Sequence, residues 1–271
     1  MDNGPDRSTF LGMPGYDYIS FTTDYGLSDG FVAACHGTIA RTTPAARVID
    51  VTHLIAPGDV TRGAAVLAQT VPYLPDAVHL AVVDPGVGTP RRAVVVQTPR
   101  GLLVGPDNGL LIWAAQALGG PSAAYELASE DWFAPNVSRT FHGRDVFAPV
   151  AARLARGADP ADAGPPVAPD SLVVLPEPVV AWGDGWLEAE VLTVDRFGNV
   201  QLAAPGSALE QLPDRLTVGG CRAIRGTTFA DAPSGGLVVF ADSADRVAIA
   251  VNGGRAVVML AVTPGDLLRI S

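Results

Sequence analysis

The chain has 271 residues, 48% of them hydrophobic, which is enough apolar material for one large domain or two modest ones. Its formal net charge of -10, with no visible basic patch, argues against a nucleic-acid partner. Cys35 and Cys221 are far apart without metal-ligand spacing, no stretch reaches the roughly eighteen apolar residues of a membrane span, and the first eighteen residues lack an export pattern. A cytoplasmic protein acting on a small molecule is therefore expected, with no disulfide framework and no membrane anchor.

Tyr18 to Thr23 reads as a first strand ending at Asp24. A helix over Asp29 to Arg41 follows, with Phe31, Ala34, Cys35 and Ile39 on one face. Arg47 to Val51 is a second strand, Asp59 to Val71 an amphipathic helix opened by Pro57-Gly58, and Ala77 to Val83 a buried strand. This alternation predicts a mainly parallel sheet with helices on its faces. Short strands over Arg92 to Gln97 and Leu102 to Val104 come next, then helices over Leu110 to Leu118 and Arg144 to Arg156. From Gly157 to Pro178 the chain is rich in proline, alanine and glycine and reads as a linker. Beyond it, Leu187 to Val194, Leu216 to Val218, Leu237 to Phe240, Val247 to Val251 and Ala256 to Leu260 read as short strands, with no helix. The expected architecture is an α/β N-terminal domain with a mainly parallel sheet over residues 17–157, a linker over 158–178, and a smaller all-β, barrel-like C-terminal domain over 179–271.

The segment from Val82 to Arg91 is an apolar strand running into a Pro/Gly turn that carries an acid and a base. Asp84 stands at a strand's carboxyl end, where ligands bind in open α/β sheets. Gly86 and Gly88 let backbone approach closely, and Arg91 can fold back towards Asp84; taken alone, the same residues also fit an ordinary Asx turn with a solvated arginine. His142 lies in Thr140-Phe141-His142-Gly143-Arg144-Asp145 just before a helix, where its ring can project into a cleft. None of His36, His53, His79 and His142 has the spacing of a helix-borne metal site, so no metal is expected.

Two motifs compete. Gly26-Leu27-Ser28-Asp29-Gly30 matches a nucleophile elbow, with Asp84 and His142 downstream in the required order, although so short a pattern arises easily in a chain with 30 glycines. Gly86-Val87-Gly88 resembles half a dinucleotide fingerprint, but a strand follows it and no helix N-terminus is there to receive a pyrophosphate. Asp24 suits a pair of ribose hydroxyls or, alternatively, the cap of the following helix. Asp195-Arg196-Phe197-Gly198-Asn199 is a second strand-end turn with acid and amide groups, which alone reads as structural.

Taken in order, several segments resemble the S-adenosyl-L-methionine hydroxide adenosyltransferase family, related to bacterial fluorinase and chlorinase. They are Thr23-Asp24-Tyr25-Gly26, Val51-Thr52-His53-Leu54-Ile55, Val83-Asp84-Pro85-Gly86-Val87-Gly88, Gly105-Pro106-Asp107-Asn108-Gly109, the His142 segment, the Asp195 turn and Ile249-Ala250-Val251-Asn252-Gly253-Gly254. The resemblance implies an α/β domain followed by a barrel-like domain, a homotrimer with its site between subunits, and cofactor-free hydrolysis of S-adenosyl-L-methionine to adenosine and L-methionine. By motif position it implies Asp84, Arg91 and His142 as the set that handles water. Asp24 would be the ribose ligand, Asp195 the partner of the methionine ammonium, Asn199 an adenine or methionine contact, and Ser243 a contact at the methionine end. The chain departs from the family at Val200-Gln201-Leu202-Ala203-Ala204, and at Cys35-His36, which replaces a common Met-Lys pair and reads as surface variation. The alternatives are a halogenase using the same substrate, a non-catalytic binder of S-adenosyl-L-methionine or adenosine, and an esterase built on Ser28.

Overall fold

The computed structural model describes residues 15–271, so most of the segment from which the lack of an export pattern was read lies outside the described residues. The chain divides into two compact units between Leu175 and Pro176.

The first unit is built on β1 (Tyr18–Thr23), α1 (Phe31–Thr42), β2 (Arg47–Thr52), α2 (Val60–Thr70), β3 (Ala77–Val82), β4 (Ala93–Thr98), β5 (Gly101–Pro106), α3 (Ile112–Ala117), β6 (Ala123–Glu126), α4 (Ala148–Ala155) and β7 (Pro166–Val167). Its seven strands run in the order β2-β1-β3-β5-β4-β6-β7. The first four are mutually parallel, and β4, β6 and β7 add antiparallel. Every residue of β3 is buried, as a central parallel strand covered on both faces requires. Alternation along the strands splits the core in two. Ile19, Phe21, Val78, Leu80 and Val95 meet α1 and α4, whereas Ala81, Val83, Val94 and Val96 meet α2 and α3. His79 is wholly buried in β3, with Nδ1 2.8 Å from Ser20 Oγ, and burial pulls its pKa down to about 4.

The chain leaves β1 for β2 on one side and returns to β3 on the other. Thr23 of β1 pairs with Val82 of β3 at this switch of direction, so Asp24 and Asp84 both follow strands that end at the crevice.

Several details differ from the sequence expectation. Residues expected as a linker form two 3-10 turns, Pro160–Ala163 and Pro169–Ser171, and the edge strand β7, which pairs with β6. Proline is tolerated there because an edge strand needs only one row of ladder bonds. The segment expected as one helix from Arg144 opens as a π-helical turn, Gly143–Phe147, and becomes α-helical only in α4.

The second unit comprises β8 (Val180–Gly183), β9 (Trp186–Val194), β10 (Val200–Pro205), β11 (Arg215–Val218), β12 (Cys221–Arg225), β13 (Leu237–Ala241), β14 (Arg246–Val251), α5 (Ala256–Leu260) and β15 (Leu267–Ile270). Seven strands run β10-β14-β13-β12-β11-β15-β9, and pairing of β9 with β10 closes them into a barrel, with β8 flanking β9 outside the ring. Leu187, Ala189, Val191, Leu202, Val239 and Ile249 fill the interior. Ala256 to Leu260, expected as a strand, is a short helix. The segment buries only Ala256 while Val258 and Met259 face solvent, whereas a strand of the ring would turn alternate residues into the apolar interior.

Candidate active site

Asp84 lies two residues beyond β3, and the turn Gly105 to Gly109 holds that strand end in place. Asn108 Nδ2 donates to Val83 O at 2.9 Å, while its Oδ1 accepts from Leu110 N at 3.2 Å. The buried Asp107 anchors the same turn by accepting from Arg92 Nε and from Val173 N, both at 2.8 Å. Gly88 has φ +78°, and a Cβ there would sit 2.6 Å from the Arg139 carbonyl oxygen. Only glycine permits that close approach, which brings the segment carrying His142 against the Asp84 turn.

Arg91 joins the two acid-base groups. Its Nε donates to Asp84 Oδ1 and Oδ2 at 3.1 and 3.0 Å, its Nη2 donates to Oδ2, and the same Nη2 lies 2.9 Å from His142 Nδ1. The guanidinium also lies over the Phe147 ring, with Cζ 5.2 Å from the centroid. Side-chain exposure is 5% for Asp84 and 12% for Arg91, so the pair is held largely out of water. A guanidinium can only donate, which makes His142 Nδ1 the acceptor. Burial, and then the Arg91 charge, hold the His142 pKa below its usual value against the opposing pull of Asp84 and Asp145. The ring is thus neutral near pH 7, its single proton sits on Nε2, and Asp84 is the acceptor of the set.

Residues outside the expected set complete this geometry. Gly143 lies against the Tyr25 side chain, where any Cβ would overlap the hydroxyl. Burial, followed by the charges of Cys35, Asp24 and Asp84, raises the Tyr25 pKa far above its normal value and keeps the phenol protonated. Edge-to-face contacts of Phe141 with Tyr25 (5.6 Å) and Phe31 (5.2 Å) fix the segment from the other side. Asp145 clamps its base, accepting from Ser138 N at 2.9 Å and from Arg144 Nε at 2.6 Å. The motifs containing Tyr25, Asn108 and Gly143 are visible in the sequence, but their supporting roles are not, because each acts on an element distant along the chain.

A cavity of about 600 Å³ opens beside Arg91 and His142, and Glu126, Glu130 and Asp131 are among the residues that line it. Asp24 accepts from Gly58 N at 2.8 Å through Oδ2, tying the end of β1 to the loop before α2. It does not cap α1, whose N-cap is Gly30.

In the barrel unit, Asp195 and Asn199 meet. Asn199 N donates to Asp195 Oδ1 and Asn199 Nδ2 to Oδ2, both at 2.8 Å. Asn199 precedes Val200, which pairs with Ile249 near the end of β14, whereas Ser243 lies in the turn before that strand begins. Ser28 is exposed, and its hydroxyl contacts Asp29 Oδ2 at 3.5 Å. The nucleophile-elbow reading fails at this point, because the Ser28 hydroxyl meets Asp29 while His142 Nδ1 meets Arg91, so the serine–imidazole–carboxylate order that an elbow needs is not formed. Cys35, expected as surface variation, is fully buried, and burial pushes its thiol pKa up to about 12.

A carboxylate, a guanidinium and an imidazole converge at the switch point of an α/β sheet, in a chain whose second unit is a seven-stranded barrel, the make-up of a two-unit α/β-plus-barrel enzyme. The chain belongs to the SAM hydroxide adenosyltransferase family, whose N-terminal domain model matches residues 19–164 and whose C-terminal domain model matches residues 189–269. It is 66% identical to the (R)-S-adenosyl-L-methionine hydrolase of Salinispora arenicola, over 96% of this chain and 99% of that protein. A fluorinase of Nocardia brasiliensis is more distant, 28% identical over 86% of this chain and 90% of that protein. Among solved structures, a conserved protein from Thermotoga maritima superposes with a TM-score of 0.86 at 37% identity, covering 93% of this chain and 99% of that one. No helix among the described residues is long and apolar enough to cross a membrane.

Proposed function

We propose that the protein hydrolyses S-adenosyl-L-methionine to adenosine and L-methionine, without a cofactor, by attack of water on ribose C5′. The observation that carries this reading is the Asp84–Arg91–His142 cluster, in a chain 66% identical to a protein named (R)-S-adenosyl-L-methionine hydrolase. The L prefix already fixes the amino-acid carbon, so (R) in that name specifies the sulfonium sulfur, and we assign the same epimer here.

The chemistry places its demand on the nucleophile. Methionine leaves as a neutral thioether and needs no acid, whereas water must be desolvated, aimed in line with the C5′–S bond, and relieved of a proton. Asp84 accepts one O–H of that water, and the Nε2–H of His142 donates to a lone pair. As the C5′–O bond forms, the C5′–S pair departs with sulfur, and the attacking water gives up one of its two protons to Asp84 and on to solvent, leaving the other on the new 5′-hydroxyl. Arg91 holds the carboxylate in a fixed orientation and keeps His142 in the donating tautomer. A carboxylate at the nucleophile's seat also disfavours a halide, since it repels an anion but accepts from water. Such a positioned group contributes on the order of 10²–10⁴ in rate.

We assign Asp24 to the ribose hydroxyls, Asp195 to the methionine ammonium, Asn199 to an adenine or methionine contact and Ser243 to the methionine end, in a cytoplasmic homotrimer with its sites between subunits. The motif positions of Asp24, Asp195 and Asn199 support their assignments, and two free thiols fit a reducing compartment. Purified protein incubated with each sulfur epimer in halide-free, ¹⁸O-labelled water should release adenosine labelled at the 5′ oxygen, and the (R) epimer should be consumed faster. Binding without adenosine release would leave a non-catalytic binder, and 5′-halo-adenosine on addition of chloride or fluoride would point to a halogenase. Analytical ultracentrifugation reports the trimer.

A further inference from the structure

We propose that His36, Asp50 and His53 form a binding site for one divalent first-row transition cation of the zinc type, separate from the Asp84 cluster. His36 comes from α1, Asp50 from β2, and His53 from the residue after it. Asp50 Oδ1 lies 2.8 Å from His36 Nε2 and 3.1 Å from His53 Nε2, and the three donor atoms all fall within 4.8 Å of one another. Two imidazole nitrogens and one carboxylate oxygen are ligands of the kind zinc takes, and His36 (34% exposed) and Asp50 (44% exposed) leave room for water as a fourth.

His53 is the observation that points to an ion. Its side chain is 3% exposed, and the buried Nε2 makes no hydrogen bond even though Asp50 Oδ1 is close enough to receive one. At that separation, only the direction of the N–H can be at fault. The other ring nitrogen, Nδ1, lies 2.8 Å from Thr23 Oγ1. With the ring proton on Nδ1 and shared with Thr23, Nε2 turns a lone pair towards a carboxylate oxygen, an arrangement that becomes favourable when a cation stands between them. The Nδ1–H to hydroxyl contact is also the outer support that metal-bound histidines characteristically have. Phe21 holds both imidazoles from behind, with centroids 4.8 Å from His53 and 5.8 Å from His36. Helical spacing rules could not find this site, because one ligand comes from a helix and two from the end of a strand.

The test uses the full chain treated with EDTA and desalted. Calorimetric titration with zinc chloride should show one saturable site per chain, and cobalt(II) should give ligand-field absorption bands at the same stoichiometry. His36→Ala, which alters a half-exposed side chain, should weaken zinc binding on the order of 100-fold while hydrolysis measured in EDTA stays unchanged. Asp50→Asn, which keeps the side chain's size, should weaken binding similarly, and zinc should raise the melting temperature of the wild-type chain but not of His36→Ala. The site is disproved if the wild-type chain takes up no zinc saturably, or if both variants bind it as tightly as the wild type.

Discussion

Two turns in this molecule look alike in sequence and do different things. Asp84 to Arg91 and Asp195 to Asn199 each follow a strand, each begin with an acid, and each contain glycine. In the barrel turn, the acid is tied by its own neighbour, with both carboxylate oxygens accepting from Asn199 four residues on. In the sheet turn, the acid is gripped by a guanidinium seven residues on, which in turn reaches an imidazole from 51 residues beyond. The lesson is that what occupies a carboxylate's lone pairs separates a turn that closes on itself from one that recruits a distant group.

The largest expected effect comes from removing the charge in the sheet turn. Asp84→Asn keeps the shape, so the melting temperature should change little while turnover drops by about a hundred-fold or more; near-normal hydrolysis by this variant would erase the distinction between the turns. The pH profile sharpens the comparison next. His142 accepts from Arg91 only while neutral, and its pKa is lowered, so the neutral, working form persists as pH falls past the usual histidine value near 6.5. The acid limb of kcat/KM should therefore lie below pH 6.5 and disappear in His142→Gln; a limb at or above that value would contradict the burial seen here. In the barrel turn, Asp195→Ala deletes two local hydrogen bonds, and urea unfolding should register a loss of about 1–2 kcal/mol. Smallest of all, Ser28→Ala should leave hydrolysis within about two-fold of the wild type, because no acid-base group of the cluster reaches that exposed hydroxyl; a loss of several orders of magnitude would restore the elbow.

The fold was legible wherever one physical signal dominated. The β3 run, apolar apart from His79, announces a strand buried on both faces, the alternation of strands and helices around it predicts a parallel sheet, and glycine- and proline-punctuated short strands predict a barrel. Ala256 to Leu260 escaped because its β-branched run favours a strand locally, while in the fold the segment buries only Ala256. Residues 160–175 escaped because proline content marks breaks in regular structure and is silent about whether the broken segment packs.

Residue types and their order determined which side chains are able to carry the chemistry: Asp84, Arg91 and His142 stand out from the sequence, and the family resemblance gives them a task. Tertiary structure alone decided that Arg91 bridges the other two, that His142 offers Nε2–H as a donor, that Asn108 and Gly143 support the cluster, and that His36 and His53 meet at Asp50. The reason is physical. A residue's chemical type is set at its own position, whereas tautomer, burial and partnership are set by groups that only folding brings within a few ångströms.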